Sequence, residues 1–383
     1  MESAIAKCSP LEGEIRRRLW WALVMFDNRV CEMSSSKCSA FLPIWDCNTP
    51  MNVNDFDLHP EMGTPTATQH GPTEAIFVVV RSQISDYMRH CPCHLDFINP
   101  ALTAMSFNTS AIAMDRNIST LTQRIENDFL HHCEAENPIL LMTLHTARGF
   151  LAKLHLLEYY SQRLRSSYTP SASQHASIIS HTTTMLQSDT LLMTSPLTKG
   201  YRWLTQSYFP FTAYMHLAAD LRNRPQAQHV PDSWRALTDN FETHRAYSDP
   251  EKFDMNPIFK VFAGIVLRGW AAREKALTET GTSVGDVPGI VLHFRRLATE
   301  KKEAIKTSAT SSGEADSMTD VPTLIASANG DSDGAFDWNS MGSFPLDYSG
   351  LDVFEQGTTD SKMDWSIFDW PELRLPPDGS EGA

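Results

Sequence analysis

Apolar residues recur at helical spacing along most of the chain, and no run alternates apolar and polar residues between hairpin turns, so the pattern predicts an all-α body. Leu19, Leu23, Phe26 and Val30 form the first stripe, widened by Trp20, Trp21 and Val24, with Glu12 and Glu14 where a helix start favours negative charge. They predict a buried helix over residues 14–30. From Pro43 to Pro60 the density of Pro, Asn and Asp (Asn48, Pro50, Asn52, Asn54, Asp55) forbids a long helix and supplies side chains that bond their own backbone, so a fixed irregular segment follows.

Gly71-Pro72-Thr73 stops that segment and caps a helix bearing Ile76, Val80, Ile84 and Tyr87 on one face, which ends at Cys91-Pro92-Cys93. Ile118, Leu121, Ile125 and Phe129 mark the next helix, with Glu126 and Asp128 on its wet side. After Asn137-Pro138, a helix start, comes ILLMTLHTARGFLAKLHLLEYY, the most apolar segment. Its hydrophobic residues cover nearly the whole circumference, and Gly149 is expected to let a neighbour approach. The Ser/Thr/His-rich stretch 171–189 is ambiguous, although Ile178, Met185 and Leu186 suit a core. Helices are expected over 203–222 with a break at Pro210, from Pro231 with Trp234, Leu237 and Phe241 on one face, over 257–277, and over 287–306. No repeat of fixed period is present.

The composition changes at the carboxyl end. Residues 307–331 are too polar and glycine-rich to offset chain entropy by burial, and predict a disordered linker. Ten of the fourteen net negative charges fall after residue 330, where twelve acids face only Lys362 and Arg374. This tail interleaves Phe336, Trp338, Phe344, Tyr348, Phe354, Trp365, Phe368 and Trp370 with aspartates, the composition of a disordered acidic activation segment. Mutually repelling carboxylates keep the rings out of a collapsed core. A short helix over 363–370 would put Trp365 and Phe368 on one face for a partner groove. A solubilising tail with incidental aromatics is the plainer alternative. The division expected is a helical domain over 1–277, a linker with one helix over 278–330, and the tail over 331–383.

Two stretches carry a family resemblance. Arg16-Arg17-Arg18-Leu19-Trp20-Trp21 with Asp27, followed by Pro50-Met51-Asn52-Val53-Asn54-Asp55-Phe56-Asp57-Leu58, resembles the central regulatory domain of fungal zinc binuclear-cluster transcription factors. Weaker matches are Thr73-Glu74 with Arg81, and Phe129-Leu130 through Pro138 to Ala147-Arg148 and Lys153-Leu154. The resemblance covers residues 12–165. It implies a nuclear transcription regulator, often of a metabolic or secondary-metabolite gene cluster. Coactivator or mediator-type proteins would bind through the tail, and a dimer with related regulators is a further expectation. The arginines, partly neutralised by Glu12 and Glu14, would be structural, forming ion pairs and capping other helix ends, the acids of Asn54-Asp55-Phe56-Asp57 among their expected partners. In such proteins a zinc module and further helices precede the Arg-Leu-Trp-Trp helix, whereas this sequence begins almost at that helix. The implied chain lacks the DNA-reading module, does not itself bind DNA specifically, and leaves Leu, Trp or Phe exposed on residues 14–30 for want of neighbours. A gene model begun too far downstream and a natural short form that titrates longer relatives are both open readings.

Candidate chemistry changes this picture little. The binuclear cluster needs six cysteines in two CxxC-x6-C halves. Here Cys31 and Cys38 have six residues between them, but no CxxC occurs, so no cofactor is assigned to this chain. Seven cysteines without regular spacing suit a reducing compartment. His90, Cys91, Cys93 and His94, and His131, His132 and Cys133, are the densest metal-type clusters and read first as incidental. No phosphate-cradling loop, GxGxxG, HExxH or GxSxG is present, so an enzyme, specifically an all-α enzyme of unrecognised family, is the minor reading. His155 and Glu158, three apart on the central helix, read as core. Arg295-Arg296 and Lys301-Lys302 read first as solvated surface and second as an import signal. No signal peptide or membrane-length apolar run occurs.

Overall fold

The computed structural model describes residues 7–33, 46–62, 68–69, 71–91, 117–165, 170–255 and 257–311. Its α-helices are α1 (Pro10–Met33), α2 (Ile76–His90), α3 (Ile118–Asp128), α4 (Pro138–Arg165), α5 (Ala172–Thr194), α6 (Arg202–Gln206), α7 (Phe211–Asn223), α8 (Val230–Ala246), α9 (Pro250–Met255), α10 (Pro257–Glu279) and α11 (Gly289–Ser311). Short 3-10 turns occupy Asp55–Asp57, Leu130–His132 and Pro196–Tyr201. Among the described residues there is no strand, and the fold is all-α. The tail with its aromatic residues, the linker from residue 312, and Cys38, Cys93 and His94 lie outside the described residues.

Helix α4 starts where Asn137 Oδ1 accepts from the backbone N–H groups of Ile139 at 2.9 Å and Leu140 at 3.3 Å, with Pro138 needing no donor of its own. From there it feeds two cores. Leu140, Ala147, Phe150, Leu151, Leu154 and Leu157 pack with Ile76, Val80, Ile84 and Met88 of α2, with Ile118, Leu121 and Ile125 of α3, and with Met25 of α1. Ala152, Leu156 and Tyr159 pack instead into a second core formed by α5, α7, α8, α10 and α11. A helix apolar around its circumference therefore has a physical reason: it is a wall shared by two cores.

The ambiguous stretch is one helix. Ser171 accepts from the Gln174 N–H while the Gln174 amide takes the Ser171 N–H, a reciprocal cap. Its threonines are tolerated because the hydroxyls of Thr182, Thr184 and Thr194 donate to carbonyls four residues back. Pro210 separates α6 from α7, as the sequence predicts.

Three expectations are corrected. A Cβ built at Gly149 would meet nothing within 4 Å, so no neighbour approaches there. A neighbouring helix instead comes into ordinary contact at Gly269 in α10, whose missing Cβ would lie 3.5 Å from the Ala218 carbonyl of α7, and a tighter approach is at Gly289 of α11, where a Cβ would collide with the Glu242 side chain of α8. The helical domain also continues past residue 277. Ile290, Val291 and Phe294 of α11 are fully buried in the second core, and α11 runs to Ser311 rather than 306, so the segment beginning at 278 is not a linker there.

The third correction concerns α1, where Leu19, Leu23, Phe26 and Val30 are the exposed face. Phe26 is 66% and Leu19 60% exposed, joined by Ile15, while Trp20 is half-buried and Trp21 is 1% exposed. The buried face carries Glu14, Trp21, Val24, Met25, Asp27, Asn28 and Glu32. Both sets recur at helical spacing, so periodicity identifies two opposite faces without saying which is inside.

Open space beside Gly149 in a 28-residue helix has a measurable consequence. Gly149→Ala is expected to raise unfolding free energy by about 0.5–1 kcal/mol in urea titration, through helix propensity alone. A loss of stability would mean that a neighbour does approach.

Candidate functional site

The sequence-singled residues of α1 and the irregular segment meet in a polar seam. The fully buried Glu14 carboxylate accepts from Arg18 Nε at 3.0 Å and from the Met51 N–H at 3.2 Å, and Arg17 lies 3.7 Å away. Burial pushes the Glu14 carboxyl up, and these donors oppose the shift. Arg18 also reaches Asp55 at 2.6 Å, and Arg16 pairs with Glu12 at 2.6 Å on the surface. The Trp21 indole donates to the Asn48 carbonyl at 2.9 Å. Asn52 donates to the carbonyls of Gln69 at 3.0 Å and Gly71 at 2.7 Å, and accepts from the Thr73 hydroxyl at 2.6 Å. The Asn54 side-chain oxygen accepts from the Glu74 N–H at 3.1 Å, and Asp57 accepts from the Gln69 amide at 2.6 Å. Pro50 is buried beside them. The segment is thus fixed between α1 and the start of α2 with scarcely any secondary structure of its own.

Further along α1, Asp27 pairs with the fully buried Arg89 of α2, and Asn28 donates to Ser85 at 3.3 Å. Glu32 takes Arg29 at 3.0 Å and Lys153 of α4, and Arg29 also donates to the Ser207 carbonyl. Burial lowers the Lys153 pKa, and Glu32 counters it. Each acid on the buried face has a basic partner.

A second constellation lies between α3, α4 and α5, where a cleft of about 600 Å³ opens. Helix α4 lines it with His145, Arg148, Leu151, Ala152 and His155; α5 adds His181, Thr184, Gln187, Ser188 and Leu191 at matching spacing; α3 adds Thr122 and Glu126. Arg148 grips Glu126 through two bonds, at 3.0 and 3.1 Å. His155 and His181 stack at 4.2 Å with their planes 8° apart. Burial, and then His181, push the His155 imidazole down to about 4. Burial also lowers His181, and burial followed by Arg148 lowers His145, whose buried Nδ1 has no hydrogen-bond partner among the described residues. His155, expected in a core, is instead half-buried on a cleft wall, while Glu158 does not line it. His145 and His181 went unnoticed in the sequence. The only signal was polar residues at helical spacing on an otherwise apolar helix.

A third cluster is sealed. Asn240 donates to Asp189 at 2.8 Å and accepts from the Tyr214 hydroxyl at 2.7 Å, and His244 shares the Asp189 carboxylate. Tyr214, Asn240 and His244 are at most 1% exposed, so this carboxylate–imidazole pair has no face for a substrate and serves to tie α5, α7 and α8 together. Among the described residues no group of three or more His, Cys, Asp or Glu is placed to hold a metal. No described helix is long and apolar enough to cross a membrane.

No family model and no solved structure matches this chain. Curated relatives do. Over 274 residues, 72% of the chain, it is 47% identical to 37% of the Transcriptional regulator AacuB of Aspergillus aculeatus. Over 299 residues, 77% of the chain, it is 38% identical to 39% of the Transcriptional regulator nsrM of Aspergillus novofumigatus. The Aurofusarin cluster transcription factor aurR2 of Gibberella zeae is 26% identical over 285 residues, 74% of the chain and 41% of that protein. The chain is therefore homologous to fungal transcription regulators and spans about two fifths of the length of these three.

Removing the Asp27 carboxylate takes an anionic partner from the fully buried Arg89 guanidinium. Asp27→Ala is expected to cost about 3–5 kcal/mol in urea unfolding, whereas Phe26→Ser, one residue away on the exposed face, stays within about 0.5 kcal/mol. Equal losses would mean that the two faces of α1 are misassigned.

For His155 the folded pKa lies below the unfolded value, so the unfolded chain binds the extra proton between about pH 6.5 and 4. Its contribution is complete above the unfolded pKa and is lost as pH falls through that window, by an amount on the order of 1–3 kcal/mol. The raised carboxyls of Glu14, Asp86 and Glu158 act in the opposite sense, so the measurement is a difference. Between pH 6.5 and 4 the wild-type chain should lose more stability than His155→Gln; parallel curves would refute the assignment.

Proposed function

We propose that this chain is part of a fungal transcription regulator that controls a metabolic or secondary-metabolite gene cluster. The helical body would serve as a regulatory scaffold and the acidic-aromatic tail would recruit coactivator or mediator-type proteins in the nucleus. The observation that carries this reading is the 47% identity to a named transcriptional regulator across 72% of the chain. The sealing of the Asp189–His244 pair supports a scaffold over a catalytic body, and the polar seam at Arg16–Trp21 and Pro50–Asp57 supports a structural role for the motif residues. DNA reading is not assigned to these residues, because their sequence holds no CxxC of the kind the binuclear zinc module requires.

In the tail, Phe336, Trp338, Phe344, Phe354, Trp365, Phe368 and Trp370 are the rings offered to a partner groove. The exposed stripe from Ile15 to Val30 favours a second reading, a protein without activating power that binds and titrates related regulators, since contiguous exposed apolar surface marks protein interaction.

Fusing the whole chain to a heterologous DNA-binding domain separates the two. Reporter output is expected from the intact fusion, with a fall of about fivefold or more when Trp365, Phe368 and Trp370 are replaced together by Ala, anchors of this type carrying most of such an interface. No output from the intact fusion, with expression confirmed, would overturn activation and leave the titrating reading.

A further inference from the structure

The α3–α4–α5 cleft has the volume of a small-molecule site, which commonly occupies about 300–1,000 Å³, and lies between helices of a bundle, a usual location. Its wall specifies the chemistry of an occupant. Thr122 has one hydroxyl proton, which goes to the Ile118 carbonyl at 2.8 Å, so its contact with His155 Nε2 at 3.1 Å requires the imidazole to donate. That fixes the tautomer: His155 carries its proton on Nε2 and keeps a lone pair on Nδ1. His145 contributes a second imidazole nitrogen, buried and without a partner. A buried unpartnered nitrogen is costly to leave unmade.

Charge in the cleft is already balanced. Arg148 spends Nε and Nη2 on Glu126, leaving Nη1 as a donor without leaving a free positive charge. A carboxylate ligand would meet the Glu126 carboxylate beside its only cation, and an ammonium ligand would meet Arg148. Leu151, Ala152 and Leu191 add apolar wall, and the parallel stack of His155 and His181 adds a flat aromatic one.

We propose that this cleft binds an uncharged, planar, hydroxylated aromatic molecule, whose phenolic hydroxyls bond the free imidazole nitrogens of His145 and His155. A phenol donates as readily as it accepts, and so satisfies His145 in either tautomer. Arg148 Nη1 serves a ring carbonyl or second hydroxyl, and the ring rests on the histidine stack and the leucines. The assignment goes beyond the regulatory reading and does not depend on it, because binding is measured on purified protein while transcriptional output is not involved.

The test is titration calorimetry of the full 383-residue chain near neutral pH with 2,6-dihydroxynaphthalene, against naphthalene-2-carboxylate as the charged control. Saturable 1:1 binding of the diol at about 1–100 µM is expected, with the carboxylate at least about tenfold weaker. His145→Ala removes one acceptor and Thr184→Phe fills the cleft from a half-buried position on α5; each should weaken the diol at least about tenfold with the thermal melt retained. Should either variant fail to fold, the other and the carboxylate control still decide. No saturation below about 1 mM, carboxylate binding as tight as the diol, or diol binding untouched in a folded variant overturns the proposal.

Discussion

The 28-residue helix α4 has almost no face to give to water, and the rest of the described structure is arranged by that constraint. Burying a mostly apolar circumference requires partners on nearly every side. One set of neighbours, α1, α2 and α3, covers part of it, and the array led by α5 covers the remainder. Because one rigid element serves both cores, the two halves of the body share their packing. Loss of a side chain such as Leu156, fully buried in the second core, would leave a cavity beside the wall on which the first core also rests.

Apolar burial does not explain α1. Its inner face holds three carboxylates, and desolvating such groups is unfavourable unless each finds charge and hydrogen bonds in compensation. Arg18 and a backbone N–H answer Glu14, Arg89 answers Asp27, and Arg29 with Lys153 answers Glu32. Hydrophobic contact tolerates sliding, whereas paired buried charges do so poorly, and the seam therefore fixes the register of α1 against α2 and α4. The same seam extends to Asn52 and Asp55, which hold a proline-rich segment in place where backbone ladders cannot.

The cleft occupies a part of α4 where this wall is not closed. Here α3 and α5 meet the helix with Thr, Glu, His and Gln in place of leucine, and the polar groups are only partly used by one another. A scaffold homologous to transcription regulators thus has two kinds of surface facing outward: an apolar stripe on α1 suited to protein, and a neutral polar recess suited to a small molecule. They lie on different helices, so a change at one need not disturb the other by direct contact.

Fold class and most helix limits were legible from spacing and stop signals, because a 3.6-residue period and an Asn-Pro or Thr cap act locally. Trp234, Leu237 and Phe241 were placed in a core for that reason, and they are there. The Arg-Leu-Trp-Trp and Asn-Asp motifs likewise point to transcription regulators, since motif chemistry is also written locally. What only the tertiary structure decided is which side of an element faces in. Leu19 and Phe26 against Asp27 and Glu32 could not be resolved by pattern, because an acid's burial depends on Arg89 and Lys153, sixty and more positions away. The cleft was hidden for the same reason: His145, His155 and His181 are unremarkable alone, and become a site only when two helices joined end to end lie side by side.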